Sequence, residues 1–323
     1  MYSTHIHQQF AIYLLNKQCL SNNLAILLSI SGGQDSLSLL KIVSDFQPSY
    51  QWKIGLIYFD HKSRSDSYLN LQQILNICKT TQLEAYIYEN TSRISSETKY
   101  REWRYNTMLN ITIINYYSKI IIAHTLTDLS ETFFQYILRG TSIDSLSSII
   151  SNVNKDIKIG ILRPLLEFKR SETLWIVKKF CLPIWSDYTN YDCYQTRNRL
   201  REELIPYLQQ YFQPQILCKV YSLLKTTKAD IEYLHKVTTK LYFLVKHPSF
   251  IAINYWMFVK QPVTLQYRII KLFFKHNLNL KTTTKTIYDT INVLKTKRDK
   301  TQLFNTTNLK LVINHDWLYV TVT

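Results

Sequence analysis

The sequence predicts an α/β fold, an open parallel sheet with flanking helices, followed by a smaller, mainly helical C-terminal domain. In the first half, short apolar runs alternate with segments whose apolar residues recur at helical spacing, as in sheets built with crossover helices. Beyond about residue 163 the alternation fades and the pattern becomes mostly helical. We therefore expect one domain over residues 1–214 and a second over 215–323, with Pro206 and Pro214 beside the boundary.

The first element, LAILLSI at residues 24–30, is a continuous apolar run, typical of a parallel strand that is covered on both faces. Strands are predicted at 24–30, 52–59, 84–89 and 119–124, and helices at 36–45, 68–79, 97–117, 129–139, 171–180 and near 198. Ligands bind beyond the carboxyl ends of such strands, so the polar segments found there should converge on one rim. These segments are SGGQDS (31–36), DHKSRSDS (60–67) and AHTLTD (123–128).

The charge balance favours a polyanionic partner. The chain has 39 Lys and Arg against 23 Asp and Glu, a net charge of +16, with a sequence pI near 9.5. Each basic residue that contacts a phosphate releases condensed counterions, so nucleic acid is a natural partner for such a surface. A basic protein without such a partner is the alternative until a site is found.

The amino-acid composition also indicates in which cellular compartment the protein is expected. The five cysteines are scattered without a CxxC pair, which excludes a zinc ribbon or a disulfide framework and favours a reducing compartment. No apolar run approaches the roughly 20 residues of a membrane span, and the N-terminus does not resemble a secretory signal, so no membrane association is expected. Abundant Tyr, Ile, Asn and Lys with scarce Gly indicate an A/T-rich genome, so we expect the cytoplasm or an organelle stroma, with a plastid favoured.

The segment at residues 31–36, hereafter the glycine loop, holds two of only five glycines in the chain. A glycine-rich turn between a strand and a helix presents backbone N–H groups and the positive helix end to phosphate. Ser31 and Ser36 add hydroxyl donors, whereas the Asp35 carboxylate would repel phosphate unless Mg²⁺ bridges the two. The loop is neither a Walker A nor a GxGxxG sequence. A solvated turn with Asp35 as a helix cap is the alternative.

SGGQDS resembles the SGGxDS loop of the N-type ATP pyrophosphatases, a Rossmann-like PP-loop ATPase fold. The other segments resemble the short, two-domain type of tRNA(Ile)-lysidine synthetase. Matches to its motifs are DHKSRSDS with His61, Arg64 and Ser67; ETKYREWRY with Glu97, Arg101, Arg104 and Tyr105; AHTLTDLSETFFQYILRG (123–140); RPLL (163–166); residues 187–208; and QPVTLQYRII (261–270). Thr125 replaces the second His of the family's AHH, and the glycines that usually follow RG are absent.

The resemblance implies a ligase that uses ATP and Mg²⁺ as cofactors. Its partners would be L-lysine and the isoleucine tRNA with a CAU anticodon, whose wobble cytidine becomes lysidine through an adenylated intermediate with release of AMP and diphosphate. A homodimer is kept as a candidate assembly. Two alternatives remain open: another PP-loop tRNA-modifying enzyme that transfers sulfur, and a non-catalytic RNA-binding protein. The scattered cysteines argue against the first, and the presence of Asp35, Asp128 and Glu131 argues against the second.

The same resemblance assigns roles by residue. ATP would be bound by Ser31, Gly32, Gly33, Gln34, Asp35, Ser36 and His61, with Asp35 as the metal ligand; the substrates by Arg101, Arg104, His124, Asp128, Glu131 and Arg197; and Asp35, Arg104, Asp128 and Glu131 would be catalytic.

The spacing supports some of these roles, because side chains three positions apart share a helix face. Asp128 and Glu131 would thus hold the lysine ammonium and assist its deprotonation, and Arg101 and Arg104 would suit an anion. Ordinary helical pairs are the alternative for both, and a core or capping role is the alternative for His124. Arg197, Arg199 and Arg201 are expected at tRNA phosphate or at the reaction site, and Asn198 is a candidate helix cap.

Overall fold

A computed structural model describes residues 4–16, 21–60, 67–90, 97–150, 160–185, 195–280, 282–296, 302–304 and 309–322. The chain divides into two compact units, residues 1–226 and 227–323. The domain boundary predicted between residues 214 and 215 lies N-terminal to this division, and it stays a prediction.

The first unit alternates strands and helices through its N-terminal half. Its elements are α1 His5–Asn16, β1 Ala25–Ile30, α2 Gln34–Tyr50, β2 Lys53–Asp60, α3 Ser67–Thr81, β3 Glu84–Glu89, α4 Glu97–Ile114, β4 Lys119–Ile122, α5 Leu126–Leu138, α6 Ile143–Ile150, β5 Gly160–Leu162, a 3₁₀ turn Pro164–Glu167, α7 Arg170–Lys179, α8 Thr196–Arg199, a π-helical turn Leu200–Leu204, α9 Ile205–Tyr211 and α10 Ile216–Val245, which continues past the division.

The described strands of this unit form a parallel sheet in the order β3-β2-β1-β4-β5. The predicted α/β fold with an open parallel sheet is confirmed. Because β1 has β2 on one side and β4 on the other, the chain leaves the centre of the sheet in opposite directions after β1 and β4. A crevice opens at such a switch point, beyond the carboxyl ends of the strands.

Both faces of the sheet are buried, which explains the continuous apolar run of β1. Ile26, Leu28 and Ile30 pack in a core shared with residues of α1, α2 and α7. Leu27 points to the opposite face and packs with Ile57 of β2 and residues of α4. The alternation follows from the two-residue period of a strand. This double cover fixes the C-terminal end of β1, from which the glycine loop leaves.

The second unit is mainly helical, as predicted, with a small sheet. After α10 it contains β6 Ala252–Asn254, α11 Tyr255–Val259, α12 Val263–Leu278, α13 Thr284–Thr296, β7 Gln302–Phe304, β8 Leu309–Asn314 and β9 Trp317–Val322. The described strands pair antiparallel in the order β6-β9-β8-β7. Its core includes Phe258, Phe273, Ile287 and Leu318, all buried. Among the helices that the structure describes, none combines the length and the apolar character needed to cross a membrane.

Candidate active site

The glycine loop makes the turn from β1 to α2, and Gly32 is the residue that permits it. Gly32 has a φ of +79°, in the region where side chains are rarely found, and a Cβ there would collide with Oδ1 of Asn70. Gly33 has an extended backbone and is the N-cap of α2. A Cβ on Gly33 would meet only Ser31 Oγ, at an ordinary contact distance of 3.5 Å, and Gly33 lines the larger of the two cavities described below.

Hydroxyl groups close the loop on itself. Ser36 Oγ donates to the carbonyl of Gly33 at 2.9 Å and accepts from the backbone N–H and the hydroxyl of Ser31, both at 3.2 Å. Ser36 is buried, whereas Ser31 is exposed. The predicted seat for phosphate is therefore preformed, with Ser36 holding its shape and Ser31 open to a ligand.

Asp35 lies in the first turn of α2, so its expected alternative role as the cap of this helix is wrong. Burial, and then the negative charge of Asp128, raise the pKa of the Asp35 carboxyl to about 6, although a hydrogen bond from Thr173 and the charges of Arg170 and Arg201 oppose the rise. A carboxylate in this setting lacks full compensation for its charge. A cation beside it would supply that compensation.

The donor set around Asp35 fits Mg²⁺ bound together with a nucleotide. Mg²⁺ is commonly held by one or two carboxylates, with phosphate oxygens and waters completing its shell. In the described part of the chain, no group of three or more His, Cys, Asp or Glu side chains is placed to hold a metal alone. A lone carboxylate such as Asp35 suits a metal whose other ligands are phosphate oxygens and waters.

Opposite the loop, Asp128 and Glu131 share one face of α5, as their spacing predicts, and both are engaged by arginines. Arg197 binds Glu131 through Nε at 2.7 Å and Asp128 through Nη2 at 3.0 Å. Arg201 binds Glu131 through Nε at 2.5 Å and Asp128 through Nη2 at 3.2 Å. The Glu131 side chain is 0% exposed, so its carboxylate reaches these guanidinium groups and not the solvent.

Asp128 also caps α5. The backbone N–H and the hydroxyl of Thr125 donate to Asp128 Oδ2 at 2.9 and 3.0 Å. Burial would raise the pKa of the Asp128 carboxyl, but the charge of Arg197, the hydrogen bond from the Thr125 backbone and the charge of Arg201 outweigh it and hold the pKa below its usual value. Thr125, which stands where the resembled family has a second His, thus orients an acidic residue of the site.

His124 and the arginines of α4 complete the walls. Burial, followed by the positive charge of Arg163, lowers the pKa of His124 to about 3, so the imidazole is neutral at pH 7. The Arg104 guanidinium lies over the Phe59 ring at 5.3 Å, and burial lowers its pKa. Arg101 lies over the ring of Tyr105 at 5.4 Å. Both guanidinium groups are thus held against aromatic rings, and their N–H groups are donors that suit an anion.

Two adjoining cavities result at the switch point of the sheet. The larger, of about 500 Å³, is lined by Ser31, Gly33, Gln34, Asp35, Ser36, Arg104, Arg170, Gln195, Asn198 and Arg201, among others. The smaller, of about 90 Å³, is lined by Arg101, Leu129, Thr132, Tyr136, Ser148, Ile149, Arg163 and Leu166. His124, Asp128 and Arg197 line both cavities. The polar segments after β1 and β4 therefore converge, as the alternation of strands and helices predicts.

Comparison with known proteins assigns the family. Residues 3–208 match the model of the PP-loop domain family. The chain is 40% identical to the chloroplastic tRNA(Ile)-lysidine synthase of Pyropia yezoensis over 98% of this chain and 96% of that protein, and 36% identical to that of Gracilaria tenuistipitata var. liui over 98% and 99%. The chain belongs to the tRNA(Ile)-lysidine synthase family. The resemblance stated from its motifs is confirmed.

A solved structure supports the fold independently. The U34-tRNA thiolase NcsA from Methanococcus maripaludis, with its [4Fe-4S] cluster, superposes with a TM-score of 0.57 over 68% of this chain and 78% of that chain, at 15% identity. At that identity the likeness shows the fold alone. The sulfur-transfer alternative gains nothing from it, because the relatives that span the whole chain carry the lysidine synthase name.

The structure of this lysidine synthase family member places most of the predicted site residues together. The larger cavity is lined by Ser31 and residues 33–36 of the glycine loop and by Arg104, His124, Asp128 and Arg197, and the smaller cavity is lined by Arg101. Gly32 and Glu131 line neither cavity. His61 and Arg64 lie outside the described residues, so the ATP-binding role of His61 stays a prediction.

Two expectations on the segment after residue 195 need correction. Arg199 is not at the reaction site, since its side chain is 61% exposed, pairs with Glu203 at 3.6 Å and lines neither cavity. Its alternative role at tRNA phosphate stays a prediction. Asn198 is not a helix cap, because α8 begins at Thr196 with Gln195 in the cap position. Asn198 is instead buried and lines the larger cavity.

Sequence reasoning missed Arg170 and Thr173, both in the first turn of α7. Arg170 lines the larger cavity and acts on Asp35 through its charge. A signal for Arg170 exists, since it lies four residues after the RPLL motif (163–166), next to the start of a predicted helix. Thr173 gave no signal, because a threonine inside a helix pattern is ordinary.

Proposed function

We propose that the chain ligates L-lysine to C2 of the wobble cytidine of the CAU-anticodon tRNA(Ile), using ATP. Its family membership supports this reaction, and one observation carries the assignment to the site. A single cavity is lined both by residues of the glycine loop and by Asp128 and Arg197. A phosphate seat and an acidic group for an amine thus share one chamber, as a reaction of ATP with a base and then with an amine requires.

In the first step, the cytosine O2 attacks the α-phosphorus of ATP, and the bond to the bridging oxygen of the β-phosphate breaks, releasing diphosphate. The glycine loop suits the leaving group because α2 begins at this cavity, and the N-terminal end of a helix offers N–H donors and positive charge to an anion. Arg104 and Arg170, on the walls of the same cavity, supply positive charge to the phosphates. Mg²⁺ held by Asp35 and the phosphates would neutralise further negative charge.

In the second step, the lysine ε-nitrogen bonds to C2, and the C2–O bond breaks so that AMP leaves with the oxygen. Asp128 remains ionised at neutral pH because its pKa is lowered, so it attracts the lysine ammonium. The same low pKa makes Asp128 a weak base, and the proton of the amine passes to solvent. Arg101 and Arg163 at the smaller cavity suit the lysine α-carboxylate.

This assignment gives Glu131 a role different from the one predicted. Both carboxylates accept bonds from Arg197 and Arg201, but the Glu131 side chain is 0% exposed and lines neither cavity, whereas the Asp128 side chain is 17% exposed and lines both. Glu131 therefore positions the two arginines. Direct contact with lysine falls to Asp128.

The tRNA substrate is supported by the distribution of charge. Residues 227–323 hold 15 Lys and Arg against five Asp and Glu, a net charge of +10 within a chain of net charge +16. Such a surface binds the RNA backbone through phosphates and shape. The target cytidine has to leave its loop to reach the cavity.

A plastid location is inferred from two sources. Curated relatives that match nearly the whole chain are named chloroplastic, and the amino-acid composition favours an A/T-rich genome. The homodimer stays a prediction.

The test is lysine transfer. With MgATP, labelled L-lysine and a CAU-anticodon tRNA(Ile) transcript, the protein should incorporate label and release AMP and diphosphate in equal amounts. Label in a transcript whose wobble base is uridine, or sulfur transfer in place of lysine, would reject the proposal.

Asp35→Asn is the variant that tests the metal role. It keeps the size of the side chain but removes the charge, so adenylation should fall by at least about 100-fold while tRNA affinity stays unchanged. Because a poorly compensated buried charge is removed, the melting temperature should not fall. The matched control is Asp289→Asn, at an exposed site in the second unit, which should leave every readout unchanged.

A further inference from the structure

Thr173 joins the glycine loop to a helix that is distant in sequence. It lies in the first turn of α7 and is 1% exposed, although it is a polar residue. Its neighbours across the helix interface are Gln34 and Asp35, the first two residues of α2. A buried hydroxyl of this kind needs hydrogen-bond partners, and the choice of partners shows what it holds.

The Thr173 hydroxyl donates to Asp35 Oδ1 at 2.5 Å, and it lies 2.9 Å from the carbonyl of Arg170 in its own helix. It accepts from Gln34 Nε2 at 2.8 Å. The same Gln34 amide also donates to the Arg170 carbonyl at 2.7 Å. The Thr173 hydroxyl thus contacts the side chains of both Asp35 and Gln34 in the glycine loop. The carbonyl of Arg170 completes the network.

The backbone of Thr173 adds a second link. Ser38 Oγ lies 2.8 Å from the Thr173 carbonyl and 2.9 Å from that of Gln34, and Ser38 is fully buried. The start of α2 is thus fixed to α7 through both the side chain and the main chain. A threonine that only satisfied its own helix would bond one preceding carbonyl, as Thr112 does with that of Met108 at 2.7 Å.

We propose that Thr173 is a positioning residue for the adenylation step, because its hydroxyl fixes the directions of the Asp35 carboxylate and the Gln34 amide at the phosphate seat. With Oδ1 of Asp35 tied to α7, the carboxylate has one defined orientation in which to meet a cation or phosphate. The inference rests on the proposed function only in taking the glycine loop as the seat of the departing diphosphate. Preorganisation of this kind acts on transition-state charge and on ligand affinity together.

Two substitutions isolate the hydroxyl. Thr173→Val keeps the shape of the side chain and removes the donor and the acceptor, so KM for ATP should rise roughly tenfold and kcat should fall. Thr173→Ser keeps the hydroxyl and should remain within about twofold of the wild type. The matched control is Thr112→Val, since Thr112 is also buried in the first unit but its hydroxyl donates to a carbonyl of its own helix.

A binding readout separates positioning from general damage. Diphosphate affinity is measured by calorimetry with Mg²⁺ present and without tRNA or lysine, and it should fall for Thr173→Val but not for Thr173→Ser or Thr112→Val. Equal constants for Thr173→Val and the wild type would overturn the inference. So would a Thr173→Ser variant as impaired as the valine variant, or a Thr112→Val variant with the same reduction in affinity.

The folded state is checked by circular dichroism. If Thr173→Val does not fold, Thr173→Cys takes its place, because cysteine is close to serine in size but hydrogen-bonds weakly. A cysteine variant with the constants of the serine variant would then overturn the inference. Failure of the wild type to transfer lysine rejects the proposed function instead, so the two failures are distinguishable.

Discussion

The acidic residues of the site keep their charge in two different ways. Asp128 and Glu131 are matched by the guanidinium groups of Arg197 and Arg201, and they form a closed network. Asp35 has no comparable cation within hydrogen-bond reach among the described side chains, and its pKa rises to about 6. Loss of a partner from the first arrangement would leave a buried charge unpaired, so the network holds the folded structure together. The Asp35 carboxylate, in contrast, is poorly compensated, and a bound cation would stabilise its charged form.

The network around Glu131 predicts a loss of stability on substitution. In Glu131→Gln, two partly buried arginines lose one of the two carboxylates that compensate their charge and keep only Asp128, so the free energy of unfolding should fall by about 3 kcal/mol. Urea denaturation measures the change. The control is Glu203→Gln, whose exposed pair with Arg199 should contribute less than about 1 kcal/mol. A Glu131→Gln variant as stable as its control would show that the network does not stabilise the fold.

His124 predicts a dependence of stability on pH. Its folded-state pKa is lowered from 6.5 to about 3 by burial first and then by Arg163, so below pH 6.5 the unfolded chain binds a proton that the folded chain does not. Stability from this residue is therefore complete above pH 6.5 and falls as the pH drops towards 3. Between pH 8 and 5, the wild type should lose about 2 kcal/mol more than His124→Gln in urea denaturation. Parallel pH profiles would contradict the assignment.

At the scale of elements, the turn from β1 to α2 needs glycine for two separate reasons at Gly32, a positive φ and the nearness of Asn70. Gly140 has a similar φ of +65°, but a Cβ there would meet nothing within 4 Å. Alanine substitutions at Gly32 and Gly140 therefore separate the cost of a positive φ from the cost of a collision between side chains.

Gly32→Ala should be destabilised by more than Gly140→Ala, for which about 1 kcal/mol is expected from the backbone alone. Only Gly32→Ala should also abolish lysine transfer, since only it deforms the glycine loop. The measurements are thermal unfolding and label incorporation. Adding Asn70→Ala should recover part of the stability that Gly32→Ala removes. Equal destabilisation of the two alanine variants would mean that the collision does not matter.

The strands of the first unit could be predicted because they are apolar on both faces, and β3 has the predicted bounds of residues 84–89. Helix α2 runs beyond its predicted end near residue 45 to Tyr50, with Pro48 inside it, because apolar spacing alone does not mark a helix end. Strand β5 was not predicted, since three residues (Gly160–Leu162) give no period. In the second unit, the apolar runs LKLVI (309–313) and WLYVTV (317–322) have the pattern of strands, and they correspond to β8 and β9.

The residues of the site also divide into those that the sequence could locate and those that it could not. The glycine loop, Asp128 and Arg197 lie in segments whose residue types and order carry a family pattern, so sequence alone located them. The engagement of Glu131 by arginines could not be predicted, because it depends on α8 and the π-helical turn meeting α5 some 66 to 70 residues away. Thr173 could not be found either, because its partners lie more than 130 residues earlier in the chain.

At the scale of the whole molecule, charge is unevenly distributed along the chain. Residues 227–323 make up less than a third of the sequence but supply +10 of the net charge of +16. Interactions with phosphates set the affinity for RNA and its dependence on salt, whereas the identity of the reacting base is decided where it meets the cavity. Binding and chemistry should therefore respond to different substitutions.

Lys236 and Lys240, both exposed on α10 within the second unit, test this separation. Replacing both by Gln should weaken tRNA binding and reduce the slope of log affinity against log salt by roughly one unit for each phosphate that is no longer neutralised. At saturating tRNA, the rate of lysine transfer should remain that of the wild type. The control replaces Lys178 and Lys179, exposed at the end of α7, and should leave the slope unchanged. Because the slope depends directly on the number of phosphates that the protein neutralises, an unaltered slope in the first variant together with a reduced one in the control would move the tRNA surface from the second unit to the first.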